Sequence, residues 1–298
     1  MKIVVIGQGA IGLFWYYHLS KVASNRVTLL CSKSIKSTPE NITYISDANK
    51  VTQQTLNQAI EQDLANAELI IFCLKAYQLP SAFRQYLSNT TANIPLILCH
   101  NGMLSADDLP TQHTVLTMLI SHGAKKTADF VVHHTGLGSI DLGLTQGELS
   151  LTSQANIMKQ LSLSLSVNWQ DNINIKQWIK LAVNCVINPL TAIHDCDNGD
   201  IADDKYAALR NDIIDEVCRV AKLQGVFLEV DEINKTVVNV ALNTAKNCSS
   251  MRSDILAHRK TEIDNINGFI HQQGLRLPIT TPINTNLWQE ITLLEKSF

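Results

Sequence analysis

Lys180, Asn184 and Asn188 are the residues of this chain best placed to do chemistry. They lie in Trp178-Ile-Lys180-Leu-Ala-Val-Asn184-Cys-Val-Ile-Asn188-Pro189-Leu-Thr191-Ala-Ile193. Recurring every four residues, they share one side of a helix. The residues between them are Ile179, Leu181, Ala182, Val183, Cys185, Val186 and Ile187, and a helix apolar nearly all round is buried. An ammonium and two carboxamides on such a helix need partners, because an unpaired neutral group costs about 1–3 kcal/mol on burial and a charge more. Two readings fit: the three bond other protein groups in a structural network, or they line a polar pocket that takes a ligand. In the second, a partly desolvated ammonium suits proton donation. Pro189 is expected to break the helix near Asn188 and to leave Asn188 and Thr191 at a helix end.

A second group opens the chain. Lys2 to Ile6 reads as a short apolar strand, Gly7-Gln8-Gly9-Ala10-Ile11-Gly12 follows, and Leu13-Phe-Trp-Tyr-Tyr-His-Leu19 reads as an apolar helix. A glycine pattern is a weak signal alone, but strand before and helix after give it a mechanism. Gly7 allows the tight turn, Gly9 lets the backbone approach a pyrophosphate, and Gly12 lets helix and strand pack closely. The free N–H groups and positive end of the helix then hold phosphates. The next strand, Arg26 to Cys31, ends in Ser32-Lys33-Ser34-Ile35-Lys36, where a site for NAD carries an acid. An acid repels a 2′-phosphate, whereas Ser32 and Lys33 can donate to one. NADP(H) is therefore expected over NAD(H), although Lys33 and Lys36 also fit as solvated loop charges.

A third group is Ser250, Asp254, His258 and Glu262, spaced by four. Read as one helix capped by Ser249 or Ser250 and running to about Gly268, they share a broad face. The charges fit a solvated face with i,i+4 pairs such as His258–Glu262 and Lys260–Asp264.

The elements that must position these groups follow from pattern. Glu68–Leu74 is apolar throughout, as in a buried parallel strand, and Lys75 follows at its carboxyl end. Further strands end in His100-Asn101-Gly-Met103 and in Ser121-His-Gly-Ala124; Phe130 to Leu151 reads as short antiparallel strands closing the sheet. After Trp169 the period becomes helical, with helices at 207–222 (Gly225 as a stop), 230–245 and 283–294. A boundary near 170 gives two domains, 1–170 and 171–298, within the size range of a 298-residue chain. Hydrophobic content of 45% and a net charge of −3 describe an ordinary globular protein and argue against nucleic acid as a partner. No apolar run approaches the ~20 residues of a membrane helix, and no signal peptide is expected. Seven scattered cysteines read as reduced thiols of a cytoplasmic protein, with no metal spacing.

With these residues quoted, the chain resembles the ketopantoate reductase (2-dehydropantoate 2-reductase) family over its whole length. The landmarks are the glycine turn, Leu74-Lys-Ala-Tyr-Gln78, His100-Asn-Gly-Met103, Lys180 to Ile193, Asn198-Gly199, Ser249-Ser-Met251 with Asp254, and Thr261-Glu-Ile-Asp-Asn-Ile-Asn-Gly268. The resemblance implies a Rossmann-type doubly wound α/β domain, then an all-helical C-terminal domain like that of 6-phosphogluconate dehydrogenase, with the site in the cleft between. It implies NADPH-dependent reduction of 2-dehydropantoate to (R)-pantoate, on the way to pantothenate and coenzyme A, by a monomer or homodimer. Lys180 falls on the family's proton donor. Asn184, Asn188 and Asn198 fall on substrate-contacting amides; Asn247 and Ser250 fall on groups holding the substrate's polar ends. Asn101, Lys75, Ala124 and Glu262 fall on cofactor or cleft contacts, Asn101 beside the substrate and Glu262 positioning Lys180 or the ribose. Gly7 to Gly12 take the phosphates. Family members often carry an Arg by the 2′-phosphate, where this chain has Ser32 and Lys33. The rival readings are a reductase of another 2-oxo acid or of an imine, and a non-catalytic NADP(H)-binding protein.

Overall fold

The computed structural model describes residues 1–32, 39–90 and 93–298; Lys33, expected beside a 2′-phosphate, lies outside them. The chain divides into two compact units, Met1–His100 with Ala106–Ile173, and Asn101–Ser105 with Asn174–Phe298.

The first unit is α/β. Its strands are β1 (Lys2–Ile6), β2 (Arg26–Leu30), β3 (Asn41–Ile45), β4 (Val51–Thr55), β5 (Leu69–Phe72), β6 (Leu96–Leu98), β7 (Val115–Ile120), β8 (Gly123–Ala128), β9 (Val131–Gly136), β10 (Ile140–Gln146) and β11 (Asn168–Trp169). Its helices are α1 (Ala10–Ser20), α2 (Glu61–Ala65), α3 (Leu79–Tyr86) and α4 (Leu151–Ser162). The main sheet runs β11-β10-β7-β6-β5-β1-β2, parallel from β7 to β2, with β10 antiparallel to β7. The chain leaves β1 for β2 on one side and returns to β5 on the other, so the switch point of the sheet lies between β1 and β5.

The antiparallel strands read at 130–151 divide between two sheets. β10 extends the main sheet, but β9 joins a separate four-stranded sheet, β4-β3-β9-β8. Helix α1 packs against β1 and β2 of one sheet and β3, β8 and β9 of the other. That explains its composition: Leu13, Phe14, Trp15, Tyr16, Tyr17 and Leu19 are all buried, each contributing about 1.5–3 kcal/mol by leaving water.

The second unit is helical: α5 (Ile173–Ile193), α6 (Ala207–Leu223), α7 (Val230–Asn243), α8 (Ser250–Leu256), α9 (Asn267–Arg276) and α10 (Pro282–Glu295), joined by short 3-10 turns. Two expectations about it are corrected. Pro189 does not end its helix, which continues to Ile193. A proline at 189 removes the N–H that would bond the carbonyl of Cys185. Asn267 Nδ2 donates to that carbonyl at 3.0 Å instead, and the Thr191 hydroxyl bonds the Ile187 carbonyl at 2.7 Å in the next turn.

The second correction concerns 250–268, which is not one helix. α8 stops at Leu256, His258 takes a left-handed φ of 51°, and Glu262 precedes a 3-10 turn at Ile263–Asn265. The stop has a definite geometry: His258 N–H bonds the Ile255 carbonyl at 3.0 Å, and Arg259 N–H bonds the Asp254 carbonyl at 2.9 Å. Those are the two bonds of a Schellman cap, whose left-handed residue is usually glycine. Ser250 and Asp254 share α8, but His258 and Glu262 lie beyond its end, so the four have no common helix face. Lys260 does pair with Asp264, at 3.1 Å, outside any α-helix.

Candidate functional site

In the first unit the sequence-predicted residues gather at the carboxyl ends of the central strands. Gly7 follows β1 with φ +113°, a conformation side chains resist, and its N–H bonds the Leu30 carbonyl at 3.1 Å. Gly9 is the N-cap of α1; no side chain caps that helix, and no acid lies in its first turn. No atom lies within 4 Å of where a Cβ on Gly9 would stand. An uncapped helix end with open space above it fits a pyrophosphate. Ala10 and Ile11 form the first turn of α1 and are half-buried. Gln8 reaches across to the residues after β2, where its Oε1 accepts from the Ser32 N–H at 2.9 Å, so the glycine turn and the end of β2 are joined. Lys75, half-buried after β5, donates its backbone N–H to Gln78 Oε1 at 3.0 Å. Ala124 is half-buried in β8, opposite His134 of β9, in the smaller sheet. A cleft of about 170 Å³ between Lys2, Arg26, Thr28 and Asp63 opens at the amino ends of β1 and β2. Open α/β sheets bind ligands at the other end.

In the second unit α5 carries Lys180 and Asn184, both half-buried, and Asn188, 7% exposed. Leu181, Ala182, Cys185, Val186, Ile187 and Leu190 anchor the helix in the core. Past Asn188, Thr191 Oγ1 lies 2.7 Å from Ser249 Oγ, and Ser249 caps α8 by accepting from Arg252 N–H at 3.1 Å. Arg252 in turn pairs with Asp195 and Asp197 at 2.8 and 2.6 Å. These contacts tie the end of α5, the loop before Asn198 and the start of α8 together. Asn198 is buried; its N–H bonds the Asn247 carbonyl at 3.1 Å and its Nδ2 bonds Thr244 at 3.0 Å. Its side-chain Oδ1 is buried with no hydrogen-bond partner, a costly state that a ligand donor would relieve. Asn247 and Ser250 are exposed.

Glu262 is 4% exposed and accepts from Asn101 twice, from the backbone N–H at 3.2 Å and from Nδ2 at 3.0 Å. Beside it Met103 N–H bonds the Asn265 carbonyl at 2.8 Å, and Asn265 Nδ2 returns a bond to the Met103 carbonyl at 3.0 Å. The Glu262–Asn101 pair was not foreseen from spacing, because its partners lie 161 residues apart. Asp254, a landmark of the family resemblance, bonds Arg259 at 3.1 Å. The Thr191–Ser249 brace had no signal beyond two polar residues near helix ends.

Among the described residues no helix is long and apolar enough to cross a membrane, and no cluster of three His, Cys, Asp or Glu could hold a metal. Residues 3–147 match the family described as Ketopantoate reductase PanE/ApbA, and residues 172–295 match its C-terminal counterpart. The 2-dehydropantoate 2-reductase of Vibrio cholerae serotype O1 is 33% identical over 303 residues, covering 100% of this chain and 99% of that protein. Among solved structures, a PanE/ApbA family ketopantoate reductase from Ralstonia eutropha JMP134 superposes with a TM-score of 0.87 at 23% identity, covering 100% of this chain and 99% of that one. A D-mandelate dehydrogenase with NADH and anilino(oxo)acetate gives 0.87 at 24% identity and the same coverage; these two likenesses speak for the fold. Matched along both halves and a third identical to a curated member, the chain belongs to the ketopantoate reductase family.

Proposed function

We propose that this protein reduces 2-dehydropantoate to (R)-pantoate with NADPH, and that Lys180 donates the proton. The observation that carries the reading is Lys180 itself: a half-buried ammonium on a helix otherwise sunk in the core, with Asn184 and Asn188 one and two turns along. The glycine turn and the uncapped start of α1 would hold the dinucleotide's pyrophosphate. Ser32 and Lys33 would meet its 2′-phosphate. When bound, the nicotinamide supplies the hydride equivalent. Lys180 stabilises negative charge growing on the substrate's C2 oxygen and gives it a proton, an effect worth roughly 10²–10⁴ in rate. Asn184, Asn188 and Asn198 orient the substrate; the unbonded acceptor of Asn198 suits a hydroxyl. Asn247 and Ser250 would hold its polar ends, and Glu262 keeps Asn101 in place.

A second reading, reduction of another 2-oxo acid, draws support from the fold shared with D-mandelate dehydrogenase. The test is NADPH oxidation with 2-dehydropantoate and other 2-oxo acids side by side, for wild type and Lys180→Ala. Fastest turnover of a different oxo acid overturns the substrate. A variant that keeps more than about a tenth of kcat overturns Lys180 as proton donor.

A further inference from the structure

We propose that Asn267 is a positioning residue: its carboxamide replaces the main-chain hydrogen bond that Pro189 deletes, and so fixes the turn of α5 that bears Asn184 and Asn188. The inference rests on the reading of α5 as the substrate-binding helix.

The deleted bond is the one from residue 189 to the carbonyl of Cys185. It lies in the turn between the two carboxamides. A proline there leaves the carbonyl orphaned and crowds it with the ring, which kinks most helices. Cys185 is fully buried, so water does not serve as the substitute. Asn267, also fully buried, sits at the first residue of α9 and donates Nδ2 to Cys185 O at 3.0 Å and to Asn284 Oδ1 at 2.9 Å.

Asn267 is itself held. Asn284 Nδ2 donates to Glu216 Oε2 at 2.8 Å and to the Ile213 carbonyl at 3.2 Å. Glu216 also accepts the backbone N–H groups of Ile283 and Asn284, each at 2.8 Å, in the first turn of α10. There the helix dipole favours its charge. One buried polar chain thus joins α6, α10 and α9 to the broken rung of α5. Apolar side chains could fill this volume without desolvating a carboxylate and two amides. What they could not do is supply a donor at one point of α5.

The test is a two-by-two set: wild type, Asn267→Ala, Pro189→Ala and the double variant. Each is measured for NADPH affinity by fluorescence titration and for kcat with 2-dehydropantoate. Asn267→Ala is expected to lower kcat roughly 10- to 100-fold, with NADPH affinity within about twofold of wild type, as for a displaced substrate group. The double variant is expected within about threefold of Pro189→Ala, because an alanine at 189 restores the missing N–H. A packing role for Asn267 would not be rescued that way. Wild-type kcat in Asn267→Ala, or a double variant as slow as the single one, overturns the proposal. If Asn267→Ala does not fold alone, the Pro189→Ala background decides: a further loss above about tenfold there overturns it. If the wild type reduces no 2-oxo acid, the functional reading fails and amide exchange judges this one. Exchange at residues 190–193 should then quicken about tenfold or more in Asn267→Ala and slow again in the double variant; unchanged exchange overturns it.

Discussion

Glu262 holds Asn101 by both its backbone and its side-chain nitrogen, at 3.2 and 3.0 Å. Both carboxylate oxygens are used, so an amide in place of the acid puts a donor against a donor. Glu262→Gln is expected to cost about 1.5–3 kcal/mol of stability, the range for a hydrogen bond to a charged group. It should lower kcat/KM at least about tenfold if Asn101 touches a ligand. A double-mutant cycle with Asn101→Ala measures the link directly. Strict additivity of the two changes in denaturant unfolding would show that the pair is not coupled.

Two glycines of the phosphate turn should separate by phenotype. A methyl at position 12 would run into the Gly7 carbonyl, whereas a methyl at position 9 would meet nothing within 4 Å. Gly12→Ala is expected to destabilise the protein by about 1–3 kcal/mol, as overpacking does. Gly9→Ala should leave the melting temperature almost unchanged and weaken NADPH binding about tenfold or more, because under the proposed reading the methyl would stand where a pyrophosphate approaches. Thermal melts and cofactor titration check both. Equal effects on melting would refute the distinction.

Ser32 stands at the end of β2, where the ribose 2′ substituent is recognised in folds of this kind. A carboxylate there repels a phosphate and accepts from a hydroxyl. Ser32→Asp is expected to cut kcat/KM with NADPH about tenfold or more while leaving NADH within about threefold. Parallel loss with both cofactors would mean that Ser32 does not face the 2′ position.

A chain of rings in the first unit sets a pH dependence of stability. His18 Nε2 lies 3.3 Å from Tyr44 Oη, which lies 3.1 Å from His134 Nδ1; His134 Nε2 lies 3.0 Å from His122 Nδ1. Burial holds His18 down to about 4 from 6.5, helped by Lys21, His134 and His122. Burial also lowers His122, with His134 adding to the effect, and burial raises Tyr44 to about 12. The folded state thus refuses a proton that the unfolded chain accepts. Stability should fall as pH drops from about 6.5 towards about 4 and level off below. Melting temperatures of wild type and His18→Gln, compared at pH 7 and pH 5, test this. The variant should show the smaller drop, and an equal drop would remove His18 from the account.

The two-part architecture and the glycine turn were legible because hydrophobic period and turn chemistry are local. Gly225, read as a stop, sits past α6 with φ +80°. His258 ends α8 with the same kind of cap but without the glycine that would announce it. Pro189 carried a correct local signal that a distant amide overrode. The smaller sheet escaped notice because β4 and β8 are half-exposed or exposed along their length. Their pairing with β3 and β9, and the hold of Glu262 on Asn101, depend on residues far apart in the chain.

Asn101–Ser105 belong to the helical unit although the chain makes them in the midst of the other. The units are therefore interleaved along the chain rather than consecutive, and no single cut separates the residues of one from those of the other. A fragment starting at Asn174 would lack the Asn101 donors for Glu262 and the Met103 partner of Asn265. During synthesis that short peptide leaves the ribosome long before the helices it joins.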